Sequence, residues 1–146
     1  MAFRQTFEAA AGAVRGAVTG AQPTVVLVHY TVPAGVLVND ITEACAIPHG
    51  CYVTYATVFQ DAVGAGCTLD VGVLSGKYGK ADDTRTMGNE IFAALAVATA
   101  GASAKPTKNL MAISPAESAV GVGIKFLGAA PTAGKKITLA LTCVSK

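Results

Sequence analysis

The ten residues Cys51-Tyr52-Val53-Thr54-Tyr55-Ala56-Thr57-Val58-Phe59-Gln60 decide the fold class. They are β-branched and aromatic almost throughout, and they contain no Gly, Pro or charged residue. Such a run fits the pleated surface of a sheet better than a helix. A strict period of two would put Tyr52, Thr54, Ala56, Val58 and Gln60 on one face and Val53, Tyr55, Thr57 and Phe59 on the other. Both sets hold apolar side chains, so the expected strand is partly buried on both faces.

Turn signals bound this strand on both sides: Pro48-His49-Gly50 before it and Gly64-Ala65-Gly66 after it. Working outward, Thr24–Val32 reads as a strand, closed by the turn Pro33-Ala34-Gly35. Val36–Ala46 is a second extended stretch, broken by Asn39-Asp40. Cys67–Leu74 follows, then a polar loop over Ser75–Asn89 that carries Lys77, Lys80, Asp82, Asp83 and Arg85. Glu90–Thr99 is ambiguous: its alanines favour a helix, and a strand of small residues is the alternative. Ala100–Asn109 reads as loop and Leu110–Ile113 as a short strand. Ser118–Leu127 is a strand whose Gly121 and Gly123 leave room for a neighbouring chain. Pro131–Gly134 turns, and Lys136–Ser145 alternates to the end. Seven or eight short strands with at most one helical piece predict an all-β, jelly-roll-like β-sandwich.

The first 22 residues differ. Phe3, Phe7, Ala11, Val14 and Val18 recur near a helical spacing, but Gly12, Gly16 and Gly20 weaken a free helix. Residues 1–22 are therefore expected to be an N-terminal arm that orders against a neighbour, with Phe3, Phe7, Val14 and Val18 as interface residues; a plain disordered tail is the alternative. Residues 23–146 form the sandwich domain.

Composition bounds the function. Of 146 residues, 52% are hydrophobic and 14% charged, against a usual charged share of about 25%. Such a chain covers its own surface poorly and is expected to bury part of it against partners. A membrane helix needs about 20 apolar residues, and Ile91–Ala104 falls short, so no membrane partner is expected. Arg4, Glu8 and Arg15 interrupt any secretory signal, which predicts synthesis in a cytoplasm. A net charge of +2 is too weak to imply direct nucleic-acid binding.

Candidates for chemistry are few. His29 lies in a strand and His49 in a turn. Gly72–Lys77 (GVLSGK) is one residue short of a phosphate loop, and Tyr78 stands where Ser or Thr would hold magnesium. Asp82-Asp83, with Asp70 and Glu90, lacks the spacing of a calcium loop. No serine elbow or HExxH pattern occurs. No catalytic residue, cofactor or metal ligand is predicted. Cys45, Cys51, Cys67 and Cys143 fit neither a zinc nor a CxxC pattern. They read as small core residues, with disulfides within or between subunits as the alternative; Cys45 and Cys51 flank one turn.

Several stretches together resemble the decoration, or cement, proteins of tailed-bacteriophage capsids. They are VHYTVPAG (Val28–Gly35), Asn39-Asp40, IPHG (Ile47–Gly50), GCTLDVGVLSG (Gly66–Gly76), NEIFAALAVATAG (Asn89–Gly101) and the closing KKITLALTCVSK (Lys135–Lys146). The likeness covers most of the chain from Thr24 onward; the arm and the cysteines lie outside it. It implies a jelly-roll-like sandwich, a homotrimer, and a place on the capsid exterior bridging neighbouring major capsid proteins. It brings no active-site residues. Two other readings compete with it: a different virion part (head–tail connector, tail or spike domain) and a carbohydrate-binding sandwich using Tyr30, Tyr52, Tyr55 or Tyr78 as sugar platforms.

Overall fold

The computed structural model describes residues 2–5, 23–104 and 118–145. These form nine strands and no helix: β1 (Phe3–Gln5), β2 (Thr24–Thr31), β3 (Ile41–Ile47), β4 (Cys51–Gln60), β5 (Thr68–Val73), β6 (Phe92–Ala96), β7 (Gly101–Ala104), β8 (Val120–Leu127) and β9 (Lys136–Ser145). One sheet has the order β1-β3-β8-β5-β6, and the other has the order β2-β9-β4-β7. From β2 to β9 the pairing is nested: β2 with β9, β3 with β8, β4 with β7 and β5 with β6. That arrangement of eight strands in two facing sheets is a jelly roll. The ninth strand, β1, pairs parallel with β3 at the edge of the first sheet.

The core lies between the sheets. Val26, Val28, Ile137, Leu139, Leu141, Val53 and Val58 face Ile47, Val122, Ile124, Phe126, Leu69, Val71 and Phe92. Each fully buried side chain of this kind contributes about 1.5–3 kcal/mol, which is why alternation in β2, β4 and β9 fixes the sandwich.

The alternation in β4 does not run through unbroken. Its register against β9 shifts between Val53 and Tyr55. This bulge adds one residue and exchanges the faces. Cys51 and Val53 point inward, then Ala56 and Val58, while Thr54, Tyr55 and Phe59 are exposed. The two faces expected from a strict period are each correct for only part of the strand.

One ambiguity is settled and two other expectations change. Glu90–Thr99 contains strand β6, because pairing with β5 overrides the helical preference of its alanines. The register shifts there between Leu69 and Val71, Ala94 takes the left-handed backbone (φ 49°), and the buried Asp70 carboxylate accepts its amide at 2.7 Å. Part of the expected loop at 100–109 is strand β7, paired with the end of β4; the strand expected at 110–113 lies outside the described residues. Finally, Gly121 and Gly123 do not admit a neighbouring chain. A side chain at Gly121 would meet Glu43 and Arg85, and one at Gly123 would meet Met87 and Leu74.

The reason is the polar stretch 75–89, which folds back over the outer face of the first sheet. Arg85 is buried, with Nη2 2.7 Å from Oε1 of Glu43, itself fully buried. Arg85 also donates to the carbonyls of Ser75 (2.6 Å) and Lys80 (3.0 Å), and Glu43 accepts from the amide of Gly79 (3.1 Å). Tyr78 closes on Ala46 beside it. The loop keeps Lys77, Lys80, Asp82 and Asp83 in solvent, as expected of a charged segment, but Arg85 turns inward and its buried ion pair holds the loop on the sheet as a lid.

Candidate interaction surfaces

The residues considered for chemistry are spread apart. His29 is exposed, with Nδ1 3.0 Å from the Thr138 hydroxyl, and His49 sits in its exposed turn. Asp82 accepts the amide and hydroxyl of Thr84; these two bonds hold its carboxyl below the usual range. It shapes a turn, and among the described residues no group of His, Cys, Asp or Glu is arranged to hold a metal. GVLSGK is the end of β5 and a turn. No helix among the described residues is long and apolar enough to cross a membrane.

All four cysteines are buried and carry free thiols. Cys45 and Cys51 flank the same turn but belong to opposite sheets. Burial raises the thiols of Cys51 and Cys67. Burial and then the neighbouring Cys51 push Cys143 up to about 11. These thiols stay protonated near neutrality and are poor nucleophiles.

Two surfaces stand out. The first is the outer face of the β2-β9-β4-β7 sheet. Register places Val25 and Leu27 of β2 beside Thr142 and Ala140 of β9, and these beside Tyr55 and Thr57 of β4. Phe59 lies next to Thr138 and Ala102. Val25 (57% exposed), Leu27 (46%), Tyr55 (44%) and Phe59 (50%) are large apolar side chains in solvent. The outward positions between them are Thr and Ala, and His29 of β2 lies beside Thr138 in the same row as Phe59, so the middle of the face has no Asp, Glu, Lys or Arg. Charge returns at one end, where Asp61 and Lys136 join Phe59, Gln60, Gly101 and Thr138 around a shallow hollow of about 280 Å³. The sequence could have revealed this face: β2 is apolar at both parities, and only one parity can face the core. Of the tyrosines considered as sugar platforms, Tyr30 and Tyr78 are buried, whereas Tyr55 is exposed.

The second surface is the slot holding β1. Phe3, Arg4 and Gln5 pair with Ile41, Thr42 and Glu43. The buried Asp40 carboxylate accepts the amides of Ala2 (2.9 Å) and Leu37 (3.0 Å) and lies 3.5 Å from Nε of Arg4. Arg4 also donates to the Gly35 carbonyl at 2.8 Å, and the Arg85 guanidinium lies over the Phe3 ring, 5.1 Å from its centre. Phe3 thus docks on its own chain as part of a strand. Phe7, Val14 and Val18 lie outside the described residues.

Burial alone would raise the Asp40 carboxyl. The amides of Leu37 and Ala2 and the Arg4 guanidinium outweigh it and hold the group below its ordinary value. The clamp is therefore complete above the unfolded value of about 3.9 and is lost as pH falls through the depressed one. In an NMR titration the amides of Ala2 and Leu37 move together, with one midpoint below about 3.9. Asp40→Asn removes that step. Separate midpoints for the two amides would refute the clamp.

No protein-family model matches the sequence, and no curated protein matches it. Solved structures do. The chain is similar to one in the cyanophage Pam1 capsid asymmetric unit, with TM-score 0.65, 22% identity and 92% of each chain covered. It is similar in fold to one in the acid-stable capsid of Helicobacter pylori bacteriophage KHP30, with TM-score 0.51, 13% identity, and 86% of this chain and 90% of that one covered. At those identities the likeness shows the fold alone. A chain in the capsid of Ralstonia phage GP4 superposes with TM-score 0.88 and 31% identity over 99% of both chains. Identity at that level over the whole of both chains establishes kinship, and this protein belongs to the family of that Ralstonia phage GP4 capsid chain, a family of phage capsid proteins.

Proposed function

We propose that the protein is a capsid decoration protein: a structural, non-enzymatic virion component that binds the outside of a phage shell as a homotrimer and bridges neighbouring major capsid proteins. Its whole-length kinship with a phage capsid chain supports the virion assignment. The observation that carries the attachment role is the outer face, free of Asp, Glu, Lys and Arg in its middle, with Val25, Leu27, Tyr55 and Phe59 half exposed. Removing such side chains from water drives association, and many symmetric copies turn a modest contact into firm attachment. A face turned towards packaged DNA would be expected to carry Lys and Arg for the phosphates; the middle of this one carries neither.

The test uses purified protein and phage shells from which it has been removed. Wild-type protein is expected to rebind to a fixed occupancy and to raise the temperature at which the shells rupture. A Leu27→Asp/Phe59→Asp variant keeps its fold, since both positions are exposed, and is expected to lose at least tenfold in binding. Wild-type protein that does not bind shells would overturn the decoration role. A variant that binds as well as wild type would move the attachment to another face. Light scattering on the free protein checks the trimer.

A further inference from the structure

The slot for β1 is built from residues outside β1 that are also held by one another. Asp40 is fixed by the Leu37 amide at 3.0 Å. Arg85 is fixed by Ser75, Lys80 and Glu43, and the Phe3 ring covers its guanidinium. The edge of β3 offers a parallel ladder, and the Ile41 amide donates to the Ala2 carbonyl at 3.0 Å. Everything the slot grips belongs to residues 2–5: a backbone amide, an aromatic ring, a guanidinium and a short extended backbone. Between β1 and β2 lie residues 6–23, a tether that spans at most about 60 Å at roughly 3.4 Å per residue.

We infer that this slot is a strand-exchange site, in which β1 of one copy docks on β3 of a second copy. The ligand the slot recognises in the structure is the Ala-Phe-Arg sequence of this chain itself, which names a second copy as the partner. Exchange keeps every contact of the closed form, so it sacrifices no bonding. Neighbours held together in an assembly present their slots at high effective concentration. The docked segment is only residues 2–5, so release is far easier than unfolding of the sandwich. Exchange would link adjacent copies in addition to any contact through the β2-β9-β4-β7 face.

The test places a photoreactive benzoylphenylalanine at Phe3 in a light-isotope copy. This copy is denatured together with an equal amount of intact heavy-isotope protein, refolded, concentrated and irradiated. Mass spectrometry then reads the cross-linked peptides around Arg85. Exchange predicts that about half of the cross-links join light to heavy, as random partnering requires, and that Asp40→Ala in both copies sharply lowers the yield. Light-to-light products alone, at every concentration, would overturn the proposal. So would mixed products undiminished by Asp40→Ala. Because the readout needs no shell, failure of shell binding leaves it interpretable.

Discussion

Replacing Arg85 with Met lowers the stability of the fold by about 3–5 kcal/mol, the usual cost of removing one partner from a buried ion pair. Glu43 has no exposed surface and Arg85 almost none, and their charged atoms are 2.7 Å apart. Without the guanidinium, the Glu43 carboxylate keeps the Gly79 amide but loses its cation, in a site with no exposed surface. The bonds from Arg85 to the Ser75 and Lys80 carbonyls go as well, so the lid over the first sheet loosens. For a chain of 146 residues this corresponds to a melting temperature lower by about 10 °C or more. Adding Glu43→Gln should recover much of the loss, because a neutral amide can still accept from Gly79 and carries no charge to bury. Urea unfolding of wild type, Arg85→Met and the double variant measures this. A loss below about 1 kcal/mol for Arg85→Met, the range of exposed pairs, would show that the pair is solvated and that the lid does not close as described.

The same ion pair marks where the sequence stops being legible. Local alternation is written in the chain, so the limits of β4 and β9 could be read residue for residue. What depends on a distant partner could not. The bulge between Val53 and Tyr55 is set by pairing with β9, and it moved Ala56 and Val58 to the face opposite the one a strict period assigns to Val53's neighbours. The alanines of β6 prefer a helix alone and become a strand beside β5. Arg85 sits among Lys77, Lys80, Asp82 and Asp83, a composition that signals solvent; the missing side chain of Gly121 in β8, 36 residues later, leaves room for its buried guanidinium. The site followed the same rule. Val25 and Leu27 could be found from the double-sided apolarity of β2. The exposure of Phe59 required the bulge, and the docking of Phe3 required Asp40 and Arg85 to be brought to one edge.

Gly72→Ala is expected to destabilise by about 3 kcal/mol or more, at the upper end of what overpacking costs. The lid passes directly over this position. A Cβ on Gly72 would stand 2.2 Å from the carbonyl oxygen of Gly88, 2.3 Å from its carbon and 2.7 Å from the amide nitrogen of Asn89. These are backbone atoms, which cannot swing aside as the end of a side chain can. They are also pinned on both sides of the contact. The Gly88 amide donates to Val73 at 3.0 Å and the Ile91 amide to Val71 at 3.1 Å, and the Val73 amide donates to the Glu90 carboxylate at 3.0 Å. To admit one methyl group, the segment must lift and lose some of these bonds, or β5 must shift against the core. In an open strand the same substitution is mildly favourable, since Ala has less backbone freedom to lose than Gly. Gly101→Ala is the matched control: its Cβ would meet only the Gln60 amide nitrogen at 3.7 Å, and its effect should stay within about 0.5 kcal/mol. Urea midpoints for the two variants decide the matter. If Gly72→Ala is as mild as Gly101→Ala, the segment after Met87 does not lie on the sheet, and the packing of the lid must be redrawn.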